Sequence, residues 1–437
     1  MYERLAGVFI SLTCYLRNKK NGQIAHDFTI LMSGTVISQL LLLASSPLLT
    51  RLYTPKDFGI FGLSMAITNV LALIVTGRYE LAIILPRELT EAFNIVVLSF
   101  GLIICSSLVF FFATIIIPVE WLLVLGIEDI VGLLFLLPLL VMFQSLYQVL
   151  YYWLNRQQNF RSMAKTRLWI VVLGSLISIT IGYTKVISGG LVLAQIAAYA
   201  IVTIAIILGS RHEIKPLYKD VNFDSVRILA KRYLNFPKYL IIAHSMETLS
   251  AQLPLIMLNS LFGSSIAGYF SLTQRVIGAP VGFIAKTMGD IMRERFSFEY
   301  REQGNCYLAF NKSLKYLTVI AFIPALIFGL WGPELFCIVF GESWAMAGVY
   351  ARLLTMMTFL QMIASPLSIM YIIAEKQRVE LYLQFARVAG CFLAIYGGYI
   401  YSSENQLAMI LFGIVMSMVY LFMIYQCRKW AKGVSDA

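Results

Sequence analysis

Twelve continuous apolar runs, each about 20 residues or longer, dominate this chain of 437 residues, and each is long enough to cross the hydrocarbon core of a bilayer. They fall near 28–49, 58–75, 93–117, 130–152, 166–183, 191–208, 239–262, 266–287, 310–331, 346–373, 380–401 and 407–425. Transmembrane β-strands alternate in polarity over about 10 residues, so these runs read as helices. The predicted fold class is therefore an all-α polytopic membrane protein with twelve transmembrane helices. Composition agrees: 59% of residues are apolar and 13% charged, against about 45–50% and 25% in a soluble globule. A soluble enzyme and a disordered chain are both excluded.

Lys and Arg alternate strictly with the runs. The loops on one side hold 28 of them and the loops on the other hold 3. The positive-inside rule then places both termini and the large 209–238 linker in the cytoplasm of a bacterial inner membrane. The net charge of +11 is that topology signal rather than a nucleic-acid surface, and no nucleic-acid partner is expected. The domain reading is a cytoplasmic segment 1–27, a six-helix lobe 28–208, the linker 209–238, a second six-helix lobe 239–426 and a tail 427–437. Within the first segment, residues 5–16 are apolar but too short to span. They lack a small-residue cleavage pattern, so a removed signal peptide is not expected. Six scattered cysteines form no CxxC pair, three histidines form no HExxH, and there is no P-loop. No metal or cofactor is expected, and no catalytic constellation appears. Glu120, Glu128 and Asp129 are the only acidic cluster on an outer loop.

The two halves echo each other at an offset of 209 residues. Phe58-Gly-Ile-Phe-Gly-Leu lies over Ala267-Gly-Tyr-Phe-Ser-Leu, with Gly59/Gly268, Phe61/Phe270 and Leu63/Leu272 identical. Six spans per half give repeats of the same topology, related by an axis along the membrane normal. Small and polar residues follow helical spacing in both halves: Gly59, Gly62, Ala66, Asn69, Gly77 and Glu80 in span 2, and Gly268, Ser271, Arg275, Gly278, Lys286 and Gly289 in span 8. Span 1 carries Thr35, Ser38, Gln39 and Ser46, and span 7 carries His244, Glu247, Thr248, Gln252 and Asn259. The glycines alone read as close helix packing. The charges need more, since a charge at mid-span costs about 2.5–3.5 kcal/mol even on the lenient insertion scale. Arg275 and Glu247 lie deepest, about 12–13 Å in at 1.5 Å per residue, and are each other's likeliest counter-charge. Arg352 and Arg387 are shallower, and Arg78 and Lys286 mark the cytoplasmic ends of spans 2 and 8. A water-filled central cavity between two lobes is expected, lined by Arg275, Glu247, Arg78, Lys286, Arg387, Arg352, Gln39, Asn69, Gln252 and Asn259.

Two motifs carry a resemblance: Leu52-Tyr-Thr-Pro-Lys-Asp-Phe-Gly-Ile-Phe-Gly-Leu, and Gly77-Arg-Tyr-Glu-Leu-Ala-Ile-Ile-Leu-Pro. With the second-half echo and Phe340-Gly-Glu-Ser-Trp-Ala, they resemble the Wzx-type polysaccharide (O-antigen) flippases of the multidrug/oligosaccharidyl-lipid/polysaccharide exporter superfamily. The resemblance implies a two-lobed, MATE-like fold working by alternating access. It implies flipping of an undecaprenyl-pyrophosphate-linked oligosaccharide to the periplasmic leaflet, in company with polysaccharide polymerase and chain-length machinery. An anionic, hydroxylated head fits an excess of in-span cations. The alternatives are a multidrug exporter of the same fold, whose organic-cation substrates favour carboxylates; a membrane polymerase or glycosyltransferase, disfavoured by short outer loops; and a scaffold, disfavoured by the intramembrane charges.

Overall fold

The computed structural model describes residues 19–116, 128–184, 189–402 and 404–433, with side chains from residue 33 onward except at 128, 243, 283, 286, 287 and 290. The first half contains α1 (Lys19–Leu52), α2 (Pro55–Val75), α3 (Leu89–Ile116), α4 (Leu137–Arg156), α5 (Phe160–Thr184) and α6 (Gly190–Gly209). The linker carries α7 (Arg211–Leu217), α8 (Phe223–Arg232) and a short π-helical turn, Phe236–Leu240. The second half contains α9 (Ile241–Phe262), α10 (Ser264–Gln303), α11 (Tyr307–Phe340), α12 (Ala345–Leu353), α13 (Thr355–Leu367), α14 (Met370–Ile373), α15 (Gln377–Ser402) and α16 (Asn405–Ala431). Among the described residues, every element longer than a turn is helical. That is what lipid demands, because each backbone N–H and C=O must find its partner within the protein.

Twelve membrane crossings in two lobes emerge, with local departures from the sequence reading. Eleven segments are long and apolar enough to cross by themselves. The eighth crossing falls short because Arg275 and Lys286 interrupt its apolar stretch, yet α10 runs unbroken through 40 residues, well past the expected end at 287. The tenth crossing is divided into α12, α13 and α14. The ninth continues through a kink at Trp331 to Phe340, so most of the expected outer loop 332–345 is helix. In α1 the helix already includes residues 19–27, which the sequence assigns to a cytoplasmic segment ahead of the first span. Residues 1–18, which hold the 5–16 apolar stretch, lie outside the described residues, as does Glu120 and as does the side chain of Glu128.

The lobes are built locally. In the first, α1 packs on α5, α5 on α6, α3 on α4 and α4 on α6; in the second, α9 packs on α15, α15 on α16, and α10, α11 and α16 on α13. The outward faces stay apolar, as with Leu108, Val109, Phe112, Phe322, Ile323 and Leu393. A water-soluble monomer would not leave such a surface uncovered.

The lobes meet chiefly through α2 against α9 and α10. A capping box starts α2: Thr54 Oγ1 accepts from the Asp57 N–H at 3.3 Å, Asp57 accepts from the Thr54 N–H at 2.9 Å, and Pro55 occupies the first turn. Just inside, Gly59 lies against the Ser264 carbonyl and the Gly268 nitrogen, while Gly268 lies against the Pro55 carbonyl and the Gly59 nitrogen. Pro55/Ser264 and Gly59/Gly268 are pairs at the 209-residue offset, so the contact is reciprocal, as a two-fold axis between repeats requires. One turn deeper, Gly62 faces Ser271, its partner at the same offset. Trp344 completes this end. It is fully buried, donates its indole N–H to the Thr50 carbonyl at 3.0 Å, and sets its ring edge-on to Phe58 at 4.9 Å. The charge-poor ends of the two lobes are thus closed on each other.

Candidate functional site

Behind this closed end, the first lobe encloses a cavity of about 730 Å³. Its walls are Ser38, Gln39, Leu42 and Leu49 on α1, Phe61 and Met65 on α2, and Gln144, Tyr147, Gln148, Tyr151 and Tyr152 on α4. Arg167, Gly174, Ser175 and Ser178 on α5, with Leu191, Gln195 and Tyr199 on α6, close the far side. Among the described residues, the second lobe contributes Arg275 alone.

Four glutamines, four tyrosines and two arginines face this space, and no carboxylate lines it among the described residues. The α4 residues sit there because Gln144, Tyr147, Gln148 and Tyr151 recur at intervals of three and four, one face of a helix. The opposite face of α4 buries Trp153, Val149 and Leu150. Tyr147 packs on Tyr151 at 6.0 Å and on Tyr199 at 5.6 Å between ring centroids, an aromatic wall shared by α4 and α6. Gln144 donates to Asn69 Oδ1 at 2.9 Å, which leaves its own Oε1 without a partner. Arg167 donates to Thr35 Oγ1 at 3.3 Å. Arg275, half-buried, lies over the rings of Phe58 at 5.4 Å and Phe61 at 5.9 Å. A guanidinium on aromatic faces keeps its N–H fork available to an incoming anion.

Of the residues expected in one central cavity, Arg275 and Gln39 line this one, and Asn69 stands behind Gln144. The others are distributed elsewhere. Glu247 is exposed and does not meet Arg275, which has no carboxylate within ion-pair distance among the described residues; the expected counter-charge pairing is not formed. Arg352 lies at the surface near Glu334 Oε2 at 3.5 Å and the Leu330 carbonyl at 3.2 Å. Arg387 donates to Gln384 and to the Tyr420 hydroxyl within the second lobe. Gln252 is half-buried on α9, away from the lining, and Asn259 is buried and accepts from the Ser264 hydroxyl at 2.9 Å. Arg78 pairs with Glu80 at 3.2 Å below the cavity. The side chain of Lys286 lies outside the described residues. Of the outer acidic cluster, Asp129 binds Lys56 at 2.6 Å. Burial pushes its carboxyl up, but hydrogen bonds from Lys56 and Ser264, with the charge of Lys56, outweigh that and hold it below its ordinary range.

Arg167, the three further glutamines and the tyrosine wall were not singled out in the sequence. Arg167 counts there as a topology charge because span 5 starts at 166, whereas α5 begins at Phe160 and carries Arg167 two turns into the helix. The α4 face was legible in its spacing.

Two six-helix lobes closed at one end over a polar cavity, with no carboxylate among its described lining residues, define the architecture of a membrane transporter. Solved structures share the architecture. The lipid II flippase MurJ in an inward closed conformation superposes with a TM-score of 0.69 at 15% identity, covering 91% of this chain and 87% of that one. An inward-facing multidrug resistance MATE family transporter of the MOP superfamily gives 0.62 at 17% identity, over 91% and 92% of the two chains. The model for the family described as polysaccharide biosynthesis protein matches residues 48–349, and the chain belongs to that family. The succinoglycan biosynthesis transport protein ExoT of Rhizobium meliloti is 25% identical over 316 residues; the match takes in 69% of this chain and 59% of that protein's length.

Proposed function

We propose that this transporter flips an undecaprenyl-pyrophosphate-linked oligosaccharide from the cytoplasmic to the periplasmic leaflet, with its charge-rich face and both termini in the cytoplasm. The carrying observation is the lining of the cavity: two arginines, an array of amides and phenols, and no carboxylate among the described residues. Moving an isolated charge into hydrocarbon costs on the order of tens of kcal/mol by Born solvation, so an anionic head needs a polar, cationic passage. Arg275 and Arg167 supply the charge. Guanidinium forks bind phosphate oxygens in pairs. Glutamine amides hydrogen-bond sugar hydroxyls, and tyrosine rings cover the C–H faces of sugars. The prenyl tail needs no passage and stays in lipid. The family, the succinoglycan transport role of ExoT and the lipid II role of MurJ support the same substrate class.

The test is a deletion strain without a redundant flippase. Lipid-linked oligosaccharide should accumulate on the cytoplasmic leaflet and surface polysaccharide should fall. Unchanged surface glycan with heightened sensitivity to cationic dyes would instead establish a multidrug exporter. Orientation is tested separately: a reporter active only in the periplasm should be silent when fused at Lys219 and active at Glu342.

A further inference from the structure

A second cleft lies at the charge-rich end of the first lobe, where loop 84–89 meets the elbow between α4 and α5. It encloses about 660 Å³ and shares no lining residue with the cavity above. The elbow is sharp because Gln158 takes a left-handed φ of 56° and the Asn159 N–H turns back to the Leu154 carbonyl at 3.0 Å. The loop opposite is fixed by Arg156, the last residue of α4. Its Nη1 donates to the Ile83 and Ile84 carbonyls, each at 3.1 Å, and its Nη2 to those of Arg87 and Glu88 at 3.4 and 3.1 Å. Four carbonyl dipoles hold this guanidinium without cancelling its charge, and it forms no ion pair among the described residues.

The loop so clamped places Arg87 in the wall of the cleft, exposed and bound to no carboxylate among the described residues. The neighbouring carboxylates are engaged or outside the wall. Glu91 pairs with Arg232 at 3.6 Å, Glu213 accepts from Gln157 Nε2 at 2.6 Å, and Glu88 is exposed beyond the lining. Among the described residues the lining therefore holds two arginines, three amides and no carboxylate. Its lip has a different character. Ile84 and Leu89 line it at 45% and 43% exposure, and Leu85 beside them is 56% exposed. A cationic floor beside an apolar lip, where a loop leaves the membrane, matches a molecule with a phosphate at one end and acyl chains at the other. A site for a soluble phosphate needs no such lip.

We propose that this cleft binds the headgroup of an anionic phospholipid from the adjoining leaflet. Arg87 is the phosphate ligand, because its guanidinium fork is free to take two phosphate oxygens. Arg156 shapes the loop and adds its field, the Asn155 and Gln158 amides meet headgroup hydroxyls, and the acyl chains lie over Ile84, Leu85 and Leu89. The same α4 that ends at this cleft carries Gln144, Tyr147 and Gln148 into the cavity of the first lobe. A lipid seated at its foot braces one wall of that cavity.

The test uses the purified full chain in a neutral detergent, with bound lipids counted by native mass spectrometry and stability followed by thermal melting. Phosphatidylglycerol should bind saturably and raise the melting temperature, since a ligand held only by the folded chain stabilises it. Phosphatidylcholine, whose headgroup brings its own cation, should do neither, and neither should inorganic phosphate. Arg87→Ala should weaken phosphatidylglycerol binding about tenfold, the loss of one charged hydrogen-bonding contact. Its melting without lipid should stay at the wild-type value because the side chain is exposed. Arg301→Gln, at an exposed position far along α10, should bind as the wild type does. An equal loss in Arg301→Gln would mean attraction to the whole charged face, and unchanged binding in Arg87→Ala would leave the cleft without a role; either overturns the proposal. Stabilisation by inorganic phosphate that depends on Arg87 would overturn the lipid assignment. No glycan enters the assay, so its result is independent of what the chain transports.

Discussion

Gly59→Ala is the sharpest perturbation of the closed end. The new methyl group would fall onto the Ser264 carbonyl and within 3.1 Å of the Gly268 nitrogen. Both obstacles are backbone, so no rotamer change relieves the clash and the two lobes must separate there. Overpacking costs about 1–3 kcal/mol, and a backbone obstacle puts this case at about 2–3. Ala also gains about 1 kcal/mol of helix propensity over Gly, but it does so in either conformation, so that term cancels. If the clash exists only with these ends closed, the balance shifts toward the opposite-facing state by about 30- to 140-fold, at 1.4 kcal/mol per tenfold. Spin labels at exposed Leu48 on α1 and exposed Glu342 of the second lobe, read by double electron–electron resonance, should show a new population at longer distance. Gly268→Ala should do the same, and the double variant should add little because both act at one contact. Gly62→Ala should act more weakly, since its methyl would meet the flexible ends of Ser271 and Leu255 at 2.9 and 3.2 Å. An unchanged distance distribution in Gly59→Ala would refute the reasoning.

Three further outcomes follow from the geometry. Arg275→Ala should lower surface glycan at least tenfold at near-normal membrane abundance, while Arg275→Lys should retain part of it, having kept the charge and lost the fork; full surface glycan in Arg275→Ala would remove this residue from the site. Trp344→Phe keeps the buried ring and loses the N–H that Thr50 accepts, which should cost the closed state about 1 kcal/mol and raise the long-distance population about fivefold in the same resonance assay. Asp129 is held below its ordinary range, so the Lys56 contact contributes fully above the unfolded value of about 4 and is lost as pH falls through the folded value. Thermal melting of Lys56→Met should therefore be less sensitive to acid than that of the wild type.

The crossings were legible because length and hydropathy are read along the chain. The cavity was legible only in part, because it depends on rotation about each helix axis. Depth placed both Arg275 and Glu247 near mid-membrane, yet α10 turns Arg275 into the first lobe while Glu247 points elsewhere. Where the polar face meets the cavity, as on α4, spacing identifies it; on α9 the stripe His244, Glu247, Thr248, Gln252 and Asn259 has helical spacing too, but spacing does not say whether that face turns toward the cavity. Glu80 illustrates a different failure. It continues the helical stripe of span 2 in sequence, but the left-handed pair Gly77–Arg78 ends that helix and redirects it, and the arginine in that pair gives no sequence warning of its conformation. The repeat echo proved the better guide: Gly59 and Gly268, matched by offset, touch.

The 40 residues of α10 make a rod about 60 Å long, twice the roughly 30 Å of the hydrocarbon core. Its fulcrum is the glycine contact near one end, and Arg275 rides two turns beyond it. From Gly268 to Gln303 the arm is about 52 Å, so a tilt of about 10° taken as one piece swings the far end by about 9 Å. Arg275, close to the pivot, would travel only about 2 Å in the same stroke. Such a lever is geared so that a small displacement beside Arg275 appears as a large one at the far end of the helix.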